Sequence, residues 1–433
     1  CNPMIKTCLA VLLLMLSSTV VAQQPPSQKN RIDLVLSDAP ELANFGDYDI
    51  GVRTIELIDE GRIDVLNTPR GEEEEPVHYD RPLTLEVWYP AQLDAGQDRA
   101  GSYQAITRNP EIIATLNGRA VRDANPFTAE SGFPLLIVSH GYPGNRFLMS
   151  HVGENLASKG YVVASIDHTE STYDNQASIL STLYHRPLDQ RFVLNSMAAF
   201  SEQADSFLFE LLDANTTGIV GFSMGGYGLL NNLGAGFSEE MIESFMSPPN
   251  GLLSEHTVRD PDFRDNLDFR IKAGFAVAPW GMNSGFFKPE DVAGIEVPTF
   301  YLAGDADETA GYLEGTRAIF ENATSSDRYL LTFEGAGHSA GAPIPPPVEL
   351  VEIDDPRVNH YTDEAWENVK MNNIMDHFAT AFFDYHLKGK SDSLDYLPRD
   401  QAGAEGFALE KNWKGFNGEN TKGLSLEFLG VNQ

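Results

Sequence analysis

Near the middle of the chain, Gly221-Phe222-Ser223-Met224-Gly225 has the residue types and spacing of a nucleophile turn. A serine flanked in this way by glycines can sit on a tight strand-to-helix turn. That turn lifts its hydroxyl to the C-terminal edge of the strand, against the first turn of the next helix. The unpaired N–H groups and positive dipole end of that helix would face a developing oxyanion. The chemistry would be attack on an acyl carbon. Gly and Ser are common, so the context matters more than the five residues. Thr217-Gly218-Ile219-Val220 reads as a buried strand just before them, and a helix-capable stretch follows.

A serine hydroxyl needs a base, and the base needs an acid to orient it. After a strand-turn-helix serine the chain order is acid, then histidine. Five histidines follow Ser223: His256, His338, His360, His377 and His386. His338 stands in Gly335-Ala336-Gly337-His338-Ser339, a flexible loop after the last clear strand. His377 and His386 fall in a helical segment, and His256 and His360 in polar regions without strand context. For the acid, Asp305 and Asp307 lie in Gly304-Asp305-Ala306-Asp307 at the end of a strand. Asp307 fits the usual offset better, and Asp305 reads as a turn or cap residue.

A second oxyanion donor is expected from Ser139-His140-Gly141-Tyr142-Pro143-Gly144. The expected donors are the backbone N–H groups of Tyr142 and Met224, since Pro143 has none. His140 precedes the nucleophile and is expected to support its loop. The rings of Tyr142 and Trp280 would wall an acyl or aromatic group, with core packing as the competing role for Trp280. His168 follows Asp167 at a strand end, but no His-x-x-x-His or Glu-flanked pair appears, so no metal is expected. No phosphate-cradling loop or nucleotide fingerprint is present, so no cofactor is expected.

These residues need strands to hold them. Leu83–Tyr89 alternates as a half-buried strand does. Pro134–Ser139, Tyr161–Ile166, Gly218–Phe222, Ala273–Ala278, Thr299–Ala303 and Arg328–Phe333 are apolar runs of the kind buried on both faces. Phe147–Lys159 reads as a helix stopped by Gly160, and Asp363–Leu387 as a long helical segment. Strands alternating with helices predict an α/β fold: a mostly parallel central sheet with helices on both faces. Residues 169–214 and 231–270 are expected to be helical, cap-like insertions over the strand ends.

The chain has 433 residues, with 63 acidic against 30 basic side chains and a formal charge of −33. Such a surface repels phosphate backbones and anionic membranes, which argues against nucleic-acid binding and favours neutral substrates. The run Glu72–Glu75 reads as a solvated loop. At the N-terminus, Lys6, the apolar stretch Leu9–Leu16 and Val20-Val21-Ala22 read as a signal peptide cleaved near Ala22. Cys1-Asn2-Pro3 precede the first Met and read as extra upstream residues. A secreted or periplasmic chain without a stable membrane anchor is therefore expected. Both cysteines, Cys1 and Cys8, would leave with that segment, which excludes a cysteine nucleophile. The expected domains are 1–22 signal peptide, 23–75 lead-in, 76–390 catalytic domain and 391–433 C-terminal tail. Nothing in these patterns bears on oligomeric state.

At these motifs the sequence resembles the dienelactone-hydrolase-related branch of α/β-hydrolases. That branch includes platelet-activating-factor acetylhydrolase-like enzymes and the cutinase-like bacterial polyester hydrolases. The resemblance runs through Gly51-Val52-Arg53-Thr54, Glu86-Val87-Trp88-Tyr89-Pro90-Ala91, Ser139–Gly144, Leu156–Tyr161 and Gly221–Gly225. It continues in Ala278-Pro279-Trp280, Val297-Pro298-Thr299, Gly304–Asp307 and Gly337-His338-Ser339. It implies an α/β-hydrolase fold, a triad of Ser223, Asp307 and His338, oxyanion donors at Tyr142 and Met224, and Trp280 beside the substrate. Dienelactone hydrolases proper use Cys where this chain has Ser223. Compact polyester hydrolases lack insertions like those at 169–214 and 231–270.

The expected activity is hydrolysis of neutral carboxylic esters through an acyl-enzyme. The alternatives within the same chemistry are a polyester hydrolase and a phospholipid-type acetylhydrolase. Outside it stand an acyltransferase and a non-catalytic binding protein on the same fold.

Overall fold

The computed structural model describes residues 28–71, 75–399 and 407–433. The expected signal segment and residues Glu72 to Glu74 of the acidic run lie outside these. Among the described residues, thirteen strands follow in chain order. They are β1 (Asp49–Ile63), β2 (His78–Gln92), β3 (Gly101–Ile106), β4 (Ile113–Gly118), β5 (Val121–Arg122), β6 (Asn125–Pro126) and β7 (Phe133–Ser139), then β8 (Val162–Asp167), β9 (Leu212–Phe222), β10 (Ile271–Val277), β11 (Thr299–Gly304), β12 (Arg328–Phe333) and β13 (Leu424–Leu429).

The main sheet runs β13-β12-β11-β10-β9-β7-β8-β2-β1-β5, with β6 on β2. From β8 to β12 every pairing is parallel. β2 joins β8, and β13 joins β12, in antiparallel fashion. The sheet is therefore a mostly parallel α/β sheet with antiparallel edges.

The apolar runs follow from burial on both sides. All six residues of β11 are buried. Successive side chains of a strand point to opposite faces, so β7 feeds two cores. Leu136 and Val138 pack with Leu156, Phe378 and Phe382. Leu135 and Ile137 pack with Val193, Met197 and Leu229. The first face is covered by helix α1 (Ser150–Ala157) and the helix Asn368–Lys388. The second is covered by α2 (Ile179–Glu202) and α3 (Met224–Asn232).

Several expected boundaries change. The stretch 23–75, expected as a lead-in, contributes a fifteen-residue strand, β1, paired with β2 along nearly its whole length. Residues 391–433 are expected as a C-terminal tail. Its last strand, β13, closes the sheet edge with Leu424 and Leu426 buried. Most of 169–214 is not a cap: α2 lies on the sheet face, with Val193, Leu194 and Met197 fully buried in the second core. Apolar content in a helix flanked by polar segments marks burial, but it does not say which surface the helix covers. The long C-terminal helix begins at Asn368 rather than Asp363. Asp363 instead caps a turn, accepting the Ala365 and Trp366 N–H groups. The β3–β4 hairpin was not anticipated, and it brings Tyr103 under Trp88 at 2.9 Å.

Candidate active site

Ser223 joins β9 to α3 at φ 54° and ψ −112°. A non-glycine residue in this left-handed region costs on the order of 1–3 kcal/mol and persists only where its surroundings hold it. The Ser223 N–H donates to the Val277 carbonyl at 2.9 Å. Its own carbonyl accepts Tyr227 N–H at 3.0 Å and Trp280 N–H at 3.1 Å. The flanking glycines are required by close backbone approach. A Cβ on Gly221 would lie 2.5 Å from the Gly225 carbonyl oxygen, and one on Gly225 would lie 1.9 Å from that of Ser139.

Three distant side chains meet here. Ser223 Oγ lies 2.9 Å from His338 Nε2. His338 Nδ1 lies 2.9 Å from Asp307 Oδ2. The second Asp307 oxygen accepts the N–H groups of Thr309 at 2.8 Å and Ala310 at 3.1 Å, so the carboxylate cannot swing. Its side chain is fully buried, while that of His338 is one-fifth exposed. The imidazole also packs on Phe222, ring centroids 5.1 Å apart.

The loop carrying His338 is pinned on both sides. Asp305 Oδ1 accepts the Gly335 N–H at 2.5 Å, and Asp363 Oδ2 accepts the Gly337 N–H at 2.7 Å. Sequence reasoning placed Asp305 in a turn but had no means to see Asp363, which acts from 26 residues beyond Gly337.

The other histidines after Ser223 are locked elsewhere. His256 Nδ1 lies 2.8 Å from Asn231 Oδ1, His360 Nε2 lies 2.8 Å from the Tyr173 hydroxyl, and His377 Nδ1 accepts the Leu42 N–H at 3.1 Å. Burial pulls His256 down to about 4 and His360 and His377 to about 3. His386 is likewise held down by burial, to about 4. All four stay neutral at neutral pH.

Met224 is the first residue of α3, so its N–H has no carbonyl one turn back to bond. The Ser139–Gly144 loop crosses beside Ser223: a Cβ on Gly141 would sit 3.3 Å from Ser223 Cβ. A cis peptide joins Tyr142 to Pro143. The Tyr142 ring is half-buried, its hydroxyl bonded to the Ala177 carbonyl. Trp280 is also half-buried, edge-on to Tyr227 and 5.4 Å from the Phe286 ring.

Among the described residues, no group of three His, Cys, Asp or Glu is placed to hold a metal ion. His168 instead bonds Ser139 and Asp189 inside the protein. A cleft of about 1240 Å³ opens at the other end of the sheet, between Phe133, Leu212 and Lys388. β7 and β9 begin there, so it lies away from Ser223.

These features define an α/β-hydrolase, and the chain resembles bacterial polyester hydrolases. The PET hydrolase-like family matches residues 118–238, a span that includes the Tyr142 loop and the Ser223 turn. Cutinase 2 of Thermobifida cellulosilytica is 27% identical over 204 residues, 47% of this chain and 59% of the relative. Cutinase cut1 of Thermobifida fusca is also 27% identical over 204 residues, 49% of its own length. The chain thus spans about half to three-fifths of the curated relatives it matches. The fold is shared with a ferulic acid esterase from Streptomyces cinnamoneus. That likeness has a TM-score of 0.52 at 19% identity and covers 81% of this chain and 94% of the other.

Proposed function

We propose that this protein is a serine carboxylic ester hydrolase acting on neutral esters outside the cytoplasm. The observation that carries the reading is the continuous relay from Asp307 through His338 to Ser223, two hydrogen bonds of 2.9 Å. In this reading Ser223 Oγ attacks the ester carbonyl while His338 Nε2 takes its proton. Asp307 holds the proton on Nδ1 and stabilises the imidazolium that forms. The tetrahedral oxygen rests on the N–H groups of Tyr142 and Met224. His338 then returns its proton to the leaving alcohol, and afterwards activates water to release the acyl group.

Export is supported by the character of the first 22 residues. No helix among the described residues is long and apolar enough to cross a membrane.

The test is a Ser223→Ala variant assayed with p-nitrophenyl butyrate, alongside fluorophosphonate labelling of the wild type. Turnover should vanish in the variant while its circular dichroism is kept, and the probe should attach to Ser223. Undiminished turnover in the folded variant would sink the reading.

A second reading, polyester hydrolysis, is favoured by the likeness to cutinases and by the half-buried Trp280 ring beside the Ser223 turn. Release of soluble products from an aromatic polyester film, set against p-nitrophenyl butyrate turnover, separates the two.

A further inference from the structure

The amide that would offer the Tyr142 N–H is the Gly141–Tyr142 peptide, and its other end is held from inside the protein. The Gly141 carbonyl accepts His140 Nδ1–H at 2.6 Å and an Arg186 Nη2 hydrogen at 3.4 Å. Arg186 also donates from Nη1 to the His140 carbonyl, and from Nη2 to Ser171 Oγ at 2.5 Å. His140 and Arg186 are each only 1% exposed.

The donor assignment at His140 is forced. Its Nε2 accepts the His168 N–H at 3.2 Å, so the ring proton sits on Nδ1. Burial, with Arg186 and His168 beside it, holds the imidazole well below its usual range and keeps it neutral. His168 is set in turn: its Nδ1 lies 2.9 Å from Asp189, which Arg81 grips at 3.0 and 2.9 Å.

Arg186 is unusual for a buried cation. Its hydrogen-bond acceptors are two carbonyls and a hydroxyl rather than a carboxylate. Burial lowers it to about 9, which leaves it charged at neutral pH.

The Gly141–Tyr142 bond is not among the cis peptides. In a trans peptide the carbonyl and the N–H point in opposite directions. A carbonyl drawn inward by Arg186 and His140 therefore turns the Tyr142 N–H outward, on a loop in contact with Ser223.

We propose that Arg186, acting with His140 through the Gly141 carbonyl, is a positioning residue for the oxyanion hole. The two donors lock the plane of the Gly141–Tyr142 amide. Hydrogen bonding at its oxygen strengthens its N–H as a donor. The guanidinium charge, in low dielectric behind the amide, stabilises negative charge in front of it. This inference rests on Ser223 being the nucleophile.

The test compares Arg186→Met and Arg186→Lys with wild type. The measurements are kcat and KM for p-nitrophenyl butyrate, the inhibition constant of an alkyl trifluoromethyl ketone, fluorophosphonate labelling and near-UV circular dichroism. In Arg186→Met, kcat should fall on the order of tenfold to a hundredfold with KM nearly unchanged. Ketone affinity should weaken by the same factor, because the ketone forms the same oxyanion. Arg186→Lys, which keeps the charge but not the fork, should lie between, and it alone suffices if the Met variant does not fold. A folded variant with wild-type kcat and ketone affinity overturns the proposal. So does one whose loss lies only in KM and thermal stability. A wild-type protein that the fluorophosphonate does not label at Ser223 removes the nucleophile reading and this proposal together. Normal labelling with unaffected Arg186 variants removes this proposal alone.

Discussion

The Trp280 N–H donates to the Ser223 carbonyl at 3.1 Å, tying the loop after β10 to the strained turn after β9. Because this bond is made by the backbone, it survives any change of the Trp280 side chain. Trp280→Ala should therefore leave the Ser223 turn intact and remove only an aromatic wall. KM for aromatic esters should rise about fivefold to tenfold, roughly 1–1.4 kcal/mol of ring contact. KM for acetate esters should change little. Steady-state kinetics on both substrates checks this, and an equal effect on the two would argue that Trp280 is only a packing residue.

The two carboxylates after β11 differ in what they hold. Asp307 faces His338, whereas Asp305 bonds the Gly335 N–H. Asp307→Asn should lower kcat by about 10³ to 10⁴ by favouring the wrong imidazole tautomer. Asp305→Asn keeps an acceptor for Gly335 and should stay within a few-fold of wild type. Single-turnover rates of the two variants distinguish them.

Stability should fall in mild acid. Buried histidines such as His377, held at about 3, resist a proton that the unfolded chain accepts near 6.5. Their contribution is complete above about pH 6.5 and is lost as pH falls from there toward the folded value. Each such group adds a slope of about 1.4 kcal/mol per pH unit over that window. His377→Phe removes one of them. The partner lost by the Leu42 N–H shifts stability by a pH-independent amount, so the slope isolates the titration. Urea unfolding at several pH values between 4.5 and 7.5 should show a shallower dependence for the variant. Equal slopes would contradict the assignment.

The last strand is expected to be indispensable. Deleting residues 424–433 exposes the edge of β12 and removes buried Leu424 and Leu426, together about 4 kcal/mol at ~2 kcal/mol per side chain. It also strips Arg328 of the Gly430 and Gln433 carbonyls. An unpaired edge invites association between chains. A lower urea midpoint and concentration-dependent light scattering are the expected results.

Much of the architecture was legible in order along the chain. β7, β8 and β9 to β12 announce themselves as apolar runs because both faces of a central parallel strand are buried. β13 did not, since an edge strand carries polar residues on at least one side and resembles a loop in composition. The role of α2 was hidden for a different reason. Its sequence mixes His185, Arg186, Asp189 and Gln190 with aliphatics, and those polar groups meet their partners on other segments only after folding. Periodicity has nothing to detect in a helix whose polar face is also buried.

The sequence alone determined that Ser223 could occupy a tight turn, because the glycines at 221 and 225 permit one. It also determined the chain order of Ser223, Asp307 and His338. Only the tertiary structure decided that these side chains meet within hydrogen-bonding distance, because the separation in space of residues 115 and 31 positions apart is set by strand register. It likewise decided that Asp363 steadies the His338 loop and that Arg186 and His140 grip the Gly141 carbonyl. Those contacts join segments with no shared pattern, and they exist only because the sheet and α2 bring the segments together.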